Sequence, residues 1–208
     1  MNLGGALASG LAALDIPMPA AAQASQIRYL ELIEQWNKVH NLTAVTDPEQ
    51  MLSHHLFDSL AVLPYLGAAR SLLDVGSGAG LPGIPLAIAR QELAVTLIDS
   101  SHKRQSFQQQ CKAELGLANV KAIHSRVEDF TALGGFDIII SRAFSDLGKF
   151  VCCARHLCGG GGRMLAMKGL YPHQEIAKLP NWARIVEVKQ LKVPSLDAVR
   201  HLIVIEIS

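Results

Sequence analysis

Apolar residues recur every three or four positions along the first third of the chain, which is the spacing of helices with one buried face. This pattern predicts a short helix before Pro17, a second over residues 21–39, and a third that starts at residues 46–49 and ends near Leu63. The third start is marked by a capping residue, a proline and an acid in succession. We interpret residues 1–67 as a helical cap on the domain that follows.

From residue 68 onwards, short apolar runs alternate with helical patterns. Strands are predicted over residues 71–75, 94–98, 120–124, 136–140, 163–167, 185–191 and 202–207. Helices are predicted over residues 84–90, 102–115, 146–157 and, more briefly, 172–179, with the glycine run 159–162 ending the third of them. Alternating strands and helices favour a parallel sheet with helices on both faces.

The last two strands are the exception to this alternation. Residues 193–200 between them are too few for a crossover helix, so the two strands should pair as an antiparallel hairpin. A doubly wound sheet that ends in such a hairpin is typical of Rossmann-like class I methyltransferases. We therefore predict an α/β fold with a seven-stranded, mostly parallel sheet, in which residues 68–208 form the methyltransferase domain and join the N-terminal cap in one compact unit.

The overall charge and the cysteines set only broad limits. A formal net charge of +1 and a pI near 7.8 exclude a histone-like polycation but remain compatible with a local basic patch. The four cysteines form no CxxC pair, and we expect them to be reduced, with Cys152, Cys153 and Cys158 on one helix. We expect no metal site. Because neither a secretory signal nor a membrane span is recognisable, we expect a cytoplasmic monomer without a membrane partner.

The most informative segment is the loop after the first predicted strand, residues 74–83, which reads DVGSGAGLPG. Open α/β sheets bind ligands at the carboxyl ends of their strands. Dinucleotide sites favour G-x-G-x-x-G, whereas Gly76, Gly78 and Gly80 give G-x-G-x-G behind an acid. This form suits S-adenosylmethionine, which carries no phosphate. We expect Asp74 to lie near the ammonium group of this cofactor or near a bound water.

Two further segments should complete the cofactor site. Asp99 ends the next strand, where its carboxylate can accept hydrogen bonds from both ribose hydroxyls, although this argument fits NAD equally well. Residues 125–129 follow the third strand and should border the same crevice. A backbone N–H near Val127 can bind an adenine nitrogen, and the neighbouring carboxylate of Glu128 can accept the adenine amino protons.

Two other functions remain open on this evidence. An NAD-dependent oxidoreductase would share the loop and Asp99, but it would favour a third glycine one residue later and a catalytic Tyr/Lys or His pair, which we cannot place. A non-catalytic binding module would not need an intact loop and an intact strand-end acid. Comparing the binding of NAD with that of S-adenosylmethionine distinguishes an oxidoreductase from a methyltransferase. Turnover on a ribosomal substrate distinguishes a methyltransferase from a non-catalytic binding module.

Several segments of the chain resemble those of one known family. They read WNK (36–38), NLT (41–43), HLFDS (55–59), DVGSGAGLPGIP (74–85), SRVE (125–128), ISRA (140–143), KG (168–169) and RHL (200–202). They are similar to those of the bacterial small-subunit ribosomal RNA guanine-N7 methyltransferase family, formerly called glucose-inhibited division protein B. The match covers nearly the whole chain, and the first 20 residues match only loosely.

The resemblance implies that S-adenosylmethionine is the cofactor and that N7 of a guanine in 16S ribosomal RNA, at position 527 in the 530 loop, is methylated. The substrate would be the small ribosomal subunit or an assembly intermediate of it. Ala79 stands where a proline is common in the family, and Glu128-Asp129 where two glutamates are common. The cofactor contacts that the resemblance implies are Gly76, Leu81, Val127, Glu128 and Arg142.

Cations also follow the predicted strands along one edge of the sheet. Arg142 ends the fourth strand, Lys168 ends the fifth, and Arg200 closes the terminal hairpin. We hypothesise that these three ring the guanine pocket and grip phosphates or the base, with Arg142 also near the cofactor. The same edge receives Lys103, Arg104 and Arg126.

The cap carries weaker signals. We interpret Asp58 as a helix-capping or locally hydrogen-bonded residue. His54 and His55 fit ordinary surface or core positions, with a contact to RNA as the alternative. Trp36 and Tyr65 fit the core better than a base-stacking role.

Overall fold

The structure is a computed structural model that describes residues 2–144 and 146–207. The first residue of the predicted cap, residue 1, and two residues of the predicted domain, 145 and 208, lie outside the described residues. The helices are α1 (Leu3–Ala13), α2 (Ala20–His40), α3 (Pro48–Met51), α4 (Asp58–Leu60), α5 (Gly83–Ala89), α6 (His102–Glu114), α7 (Leu147–Ala154) and α8 (His173–Ile176). The strands are β1 (Ser71–Val75), β2 (Ala94–Asp99), β3 (Val120–His124), β4 (Phe136–Ser141), β5 (Cys158–Lys168), β6 (Ala183–Leu191) and β7 (Arg200–Ile207). All seven predicted strands are present.

The seven strands form one sheet in the order β3-β2-β1-β4-β5-β7-β6. Strands β1 to β5 pair in parallel, and β7 is antiparallel to both β5 and β6, so the predicted terminal hairpin is confirmed. The chain order reverses at β1, which lies between β2 and β4, and ligand crevices open at such points. We call the side where β1 to β5 end and β7 begins the carboxyl edge.

Strand β5 differs from its prediction. It begins at Cys158, so the glycine run 159–162 lies inside the strand, and α7 already ends at Ala154. The register between β4 and β5 shifts across this run. Two chain segments approach closely here, because a Cβ on Gly135 would lie 2.6 Å from the backbone nitrogen of Gly159. Glycine therefore permits an irregular strand here, where the sequence pattern favoured a helix end.

The cysteine prediction is corrected by the same feature. Cys158 starts β5, whereas Cys152 and Cys153 lie on α7, so the three do not share a helix. All four cysteines are free thiols, as expected.

The third predicted helix contains a π-helical segment. Its start is confirmed, because the side chain of Asp47 accepts a hydrogen bond from the backbone N–H of Gln50 at 2.9 Å. Between α3 and α4 the chain forms a π-helix, Leu52–Phe57. Such segments are rare and are frequent at functional sites.

The cap packs directly on the sheet. Alternate residues of β1 enter two buried clusters, Leu72 on the face covered by the cap and Leu73 on the face covered by α7. The hydroxyl of Tyr29 on α2 donates to the carbonyl of Ala79 at 2.7 Å, inside the glycine loop. The division of the chain at residue 67 stays a prediction. Within the described ranges, no helix is long and apolar enough to cross a membrane.

Candidate active site

The loop after β1 turns through three glycines with positive φ: Gly76 at +68°, Gly78 at +58° and Gly80 at +90°. Side chains are strongly disfavoured in this region, which explains the spacing of the glycines. The loop is fastened to the end of β2. The carbonyl of Ile98 accepts from Gly76 N at 2.9 Å, and Asp99 Oδ2 accepts from Gly78 N at 2.9 Å.

A cavity of about 300 Å³ opens beside this loop, and we call it the glycine-loop cavity. The ends of β1, β2 and β3 line it, together with the residues after β4. This volume lies at the lower end of the range for small-molecule sites. Four of the predicted cofactor residues line it: Gly76, Asp99, Val127 and Glu128.

Asp99 is a buried acceptor at this cavity. Its Oδ1 accepts from Ser101 N at 2.9 Å, and its Oδ2 accepts from Gly78 N and, at 3.4 Å, from Arg104 Nη1. A carboxylate offers about four acceptor positions. Asp99 therefore fixes the glycine loop and keeps capacity for one more donor, such as a ribose hydroxyl.

Glu128 lies on a short 3₁₀ turn, Val127–Asp129, after β3. Its own backbone N–H and the thiol of Cys153 hold the pKa of its carboxyl below the usual value. The group is exposed and charged at the rim of the cavity. A charged carboxylate accepts hydrogen bonds from amino groups. The contact of Glu128 with the adenine amino group stays a prediction.

Other predicted cofactor residues lie behind the loop. Leu81 is buried in the core cluster shared with the cap. Asp74 is fully buried, and its Oδ2 accepts from Gly83 N at 2.8 Å at the start of α5. Burial raises the pKa of Asp74 to about 7, against the lowering effect of the Gly83 N–H and of Arg142. Its Oδ1 is buried without a partner among the described residues.

A second cavity of about 450 Å³ lies at the same edge, and we call it the arginine cavity. The three residues predicted to ring the guanine pocket, Arg142, Lys168 and Arg200, all line it. His54 and His55 of the π-helical segment also line it. Arg142 lies here and not at the glycine-loop cavity, which its neighbour Ala143 lines instead.

Asp58 joins the two arginines. Its Oδ2 accepts from Arg142 Nη1 at 2.9 Å, and its Oδ1 accepts from Arg200 Nε at 3.1 Å. The carboxylate side chain is only 5% exposed, whereas the arginines are 27% and 23% exposed. Arg142 Nη1 also donates to the carbonyl of His54 at 3.1 Å. The buried acid therefore fixes two guanidinium groups that still reach the cavity.

Lys168 is held by an ion pair and by a backbone carbonyl. Its ammonium donates to Glu175 Oε2 at 2.7 Å and to the carbonyl of Phe144 at 3.0 Å. Glu175 also accepts from the backbone N–H of Leu147 at 2.8 Å. Lys168 thus anchors the loop between β4 and α7, in addition to any contact with a ligand.

His55 is a neutral residue of this cavity. Its Nε2 lies 3.1 Å from Thr43 Oγ1, and its Nδ1 is buried without a partner among the described residues. Burial lowers the pKa of His55 to about 4. Over residues 2–144 and 146–207, the structure brings together no group of three or more potential metal ligands.

The loop at residues 142–144 separates the two cavities. Arg142 points to the arginine cavity, while Ala143 and Phe144 line the glycine-loop cavity. The two cavities are therefore adjacent at this loop.

Sequence reasoning missed some of these residues. Asp58 was read as a helix cap, because its partners lie 84 and 142 positions further along the chain. Phe144 and Lys149 also line the glycine-loop cavity. Their position after β4, at the carboxyl edge, could have indicated these two residues, as it indicated Arg142.

The fold and this arrangement define the class I methyltransferases that depend on S-adenosylmethionine. An S-adenosylmethionine-dependent methyltransferase from Aquifex aeolicus superposes with a TM-score of 0.61 at 19% identity, over 76% of this chain and 93% of that one. One from Thiobacillus denitrificans, solved with S-adenosylhomocysteine, gives a TM-score of 0.56 at 15% identity, over 87% and 98%. At these identities the likeness concerns the fold.

The sequence comparisons are more specific. The profile of the GidB family, rRNA small subunit methyltransferase G, matches residues 22–203. Ribosomal RNA small subunit methyltransferase G of Nitrosospira multiformis is 50% identical over 99% of this chain and 98% of its own, and that of Azoarcus sp. is 52% identical over 97% and 95%. The chain belongs to the rRNA small subunit methyltransferase G family, as its sequence motifs indicated.

Proposed function

We propose that this protein transfers the methyl group of S-adenosylmethionine to N7 of a guanine in 16S ribosomal RNA of the small ribosomal subunit. The observation that carries the proposal is the pair of cavities on either side of residues 142–144. One lies at the glycine loop, and the other presents two guanidinium groups fixed by one carboxylate. The activity that names the family supports the same reaction.

The residues of the glycine-loop cavity fit the cofactor. A Cβ on Gly76 would lie 2.8 Å from the Cβ of Ala143, so a side chain would fill space that the glycine leaves open. Asp99 has an acceptor for a ribose hydroxyl, and Val127 and Glu128, the residues predicted to bind the adenine, line the same cavity. When bound, S-adenosylmethionine supplies an electrophilic methyl group on a sulfonium. Basic residues at the same cavity can neutralise its carboxylate: Arg104, Arg126 and Lys149.

The arginine cavity fits a guanine. N7 carries a lone pair and no proton, so the reaction needs no general base. Its neighbour O6 is a strong acceptor, which Arg142 or Arg200 can bind, and a guanidinium also suits a flanking phosphate. The contribution of the protein is then to hold N7 in line with the methyl group, which can supply a large part of the rate enhancement.

The finer points of the substrate belong to the same proposal. We infer that the guanine is the one at position 527 in the 530 loop, on the resemblance of the motifs. The substrate is a small subunit or an assembly intermediate, and the reaction takes place in the cytoplasm, where these particles are made. Arg142, Lys168 and Arg200 would contact the RNA, with Arg142 nearest to the cofactor.

Labelled methyl transfer tests the proposal. S-adenosylmethionine with a labelled methyl group is incubated with the protein and with small subunits that lack the modification, and with free 16S RNA in parallel. We expect label in the RNA, at one guanine, which is then located by strand scission at N7-methylguanine. Label at another base, at a different atom, or in ribosomal protein would contradict the proposal, and so would binding of the cofactor without turnover on either substrate.

A further inference from the structure

An exposed apolar projection borders the arginine cavity. Leu170 and Tyr171 follow β5 at the carboxyl edge, and they are 81% and 40% exposed. Leu170 is among the most exposed large apolar side chains of the described residues. Adjacent apolar side chains at the rim of a candidate site add contact area that a ligand or partner can bury.

The ring of Tyr171 contacts two histidine rings. Its centroid lies 4.2 Å from that of His173, in a tilted stack, and 5.7 Å from that of His201, edge to face. His201 is itself fixed, since its Nδ1 lies 2.8 Å from the carbonyl oxygen of Gly169. The ring is therefore an ordered surface.

This projection is continuous with the arginine cavity. Gly169, which binds His201, lines that cavity. His201 follows Arg200 in the chain and pairs with Lys168 across β5 and β7, and both of these cations line the cavity as well. An aromatic group at the lip of a cationic cavity has the composition of a site for single-stranded nucleic acid.

We propose that Leu170 and Tyr171 form a stacking platform for the nucleotide next to the target guanine; this rests on the proposed function. A guanine that enters the arginine cavity must leave the stack of its neighbours, and unstacking a base costs free energy. The exposed part of the Tyr171 ring replaces the lost partner for the adjacent base. The platform is indifferent to base identity, because every base has a π face.

The test separates stacking from charge. Tyr171→Ala and Tyr171→Phe are compared with the parent for binding to unmodified small subunits at several salt concentrations. We expect Tyr171→Ala to weaken binding about 5-fold to 100-fold with an unchanged salt slope, since no phosphate contact is lost. Tyr171→Phe should restore the affinity, because it keeps the ring. Leu133→Ala is the matched control: Leu133 is fully exposed on the loop before β4, at the opposite edge.

Each outcome decides the matter. Unchanged affinity in Tyr171→Ala overturns the platform, and so does a loss that Tyr171→Phe does not restore. A Tyr171→Ala variant that binds RNA normally but loses self-association in sedimentation would assign the projection to a contact between copies, and this also overturns the proposal. The parent is assayed for labelled methyl transfer on the same particles. If the parent does not methylate the RNA, the proposed function fails; if it does and the variant binds normally, only the platform fails.

Discussion

Gly76 shows how a single backbone position defines the cofactor site. It combines a positive φ with close approach to Ala143, and it lines the glycine-loop cavity. We expect Gly76→Val to reduce the affinity for S-adenosylmethionine severely while the fold persists, because the new side chain enters the cavity. Calorimetric titration with the cofactor and circular dichroism of the free protein measure the two effects.

Gly116→Val is the matched control for this substitution. Gly116 has a similar φ of +63°, but a Cβ there meets nothing within 4 Å. Gly116→Val therefore introduces similar backbone strain but places no side chain in the glycine-loop cavity, and it should bind the cofactor like the parent. Equal losses in both variants would mean that strain and not occlusion weakens binding.

Asp74 lies buried behind the glycine loop, and its predicted place near the cofactor ammonium or a bound water stays a prediction. It is a buried acid that caps α5, and burial raises its pKa to about 7. The folded protein therefore holds this proton more tightly than the unfolded chain, so the contribution of Asp74 to stability is present below about pH 4 and is lost as the pH rises to about 7.

Asp74→Asn should remove this dependence. Relative to the parent, the free energy of unfolding of the variant should rise between pH 4 and 7 by up to about 4 kcal/mol, from about three pKa units at 1.36 kcal/mol each. Urea unfolding across this range measures the difference. Asp137→Asn is the control: backbone N–H groups of Arg70 and Ser71 hold the pKa of Asp137 below the usual value, so its difference from the parent should stay constant between pH 5 and 7. A constant difference for Asp74→Asn as well would mean that Asp74 ionises normally.

At the scale of elements, the periodic patterns gave the strands but not the irregular segments. Except for the start of β5, each observed strand end lies within two residues of its predicted position. The reason is that the apolar residues of a buried strand give way to polar residues where the strand reaches the surface. The π-helix Leu52–Phe57 has no such signal. Its hydrogen bonds differ from an α-helix by one residue, and its His54 carbonyl binds Arg142, a tertiary contact that local pattern does not encode. The glycine run inside β5 was predicted to end a helix, because the close approach of Gly135 to Gly159 is also a tertiary contact that the local pattern does not encode.

Asp58, at the start of α4, binds Arg142 after β4 and Arg200 at the start of β7, and its substitution tests whether these contacts affect catalysis. We expect Asp58→Asn to slow methylation about tenfold or more at saturating RNA, since an amide places a donor against one of the two guanidinium groups and a shift of about 1 Å can cost a hundredfold. Affinity for S-adenosylmethionine should change little, because Asp58 lines the arginine cavity.

The control for Asp58→Asn is Glu114→Gln, which breaks the surface ion pair of Glu114 with Arg28. Surface pairs contribute little, so this variant should methylate like the parent. Thermal unfolding of both variants accompanies the kinetics, because loss of one partner of a buried pair also destabilises the fold. Parental rates in a fully folded Asp58→Asn protein would show that the arginines need no fixed carboxylate.

At the scale of the whole molecule, the sequence predicted which edge of the sheet carries the site but not its division into two cavities. The glycine loop, Asp99 and the strand-end cations follow from alternation alone, since all parallel strands end at one edge. The placement of Arg142 in one cavity and Ala143 in the other depends on Asp58, far away in the sequence. Asp74 was predicted to lie near the cofactor ammonium or a bound water; its Oδ2 accepts from Gly83 N at the start of α5, a contact that the sequence pattern did not indicate.

The absence of a general base is a property of the whole site, and the pH dependence of the reaction tests it. At saturating cofactor and RNA, the single-turnover rate should be nearly flat from about pH 6 to about pH 8.5, without the limbs that essential acids and bases produce. N7 has no proton to lose, and His55, with a pKa lowered to about 4, stays neutral throughout. Asp74 does titrate in this range, but it acts only through the start of α5 that it holds behind the glycine loop, so we expect its ionisation to change the affinity for the cofactor and not the rate at saturating cofactor. This change in affinity should disappear in Asp74→Asn. RNA binding is measured at each pH in parallel. A tenfold fall in the rate on acidification, with RNA and cofactor still bound, would mean that a side chain at the arginine cavity removes a proton, and the reaction would then not be a simple methyl transfer to N7.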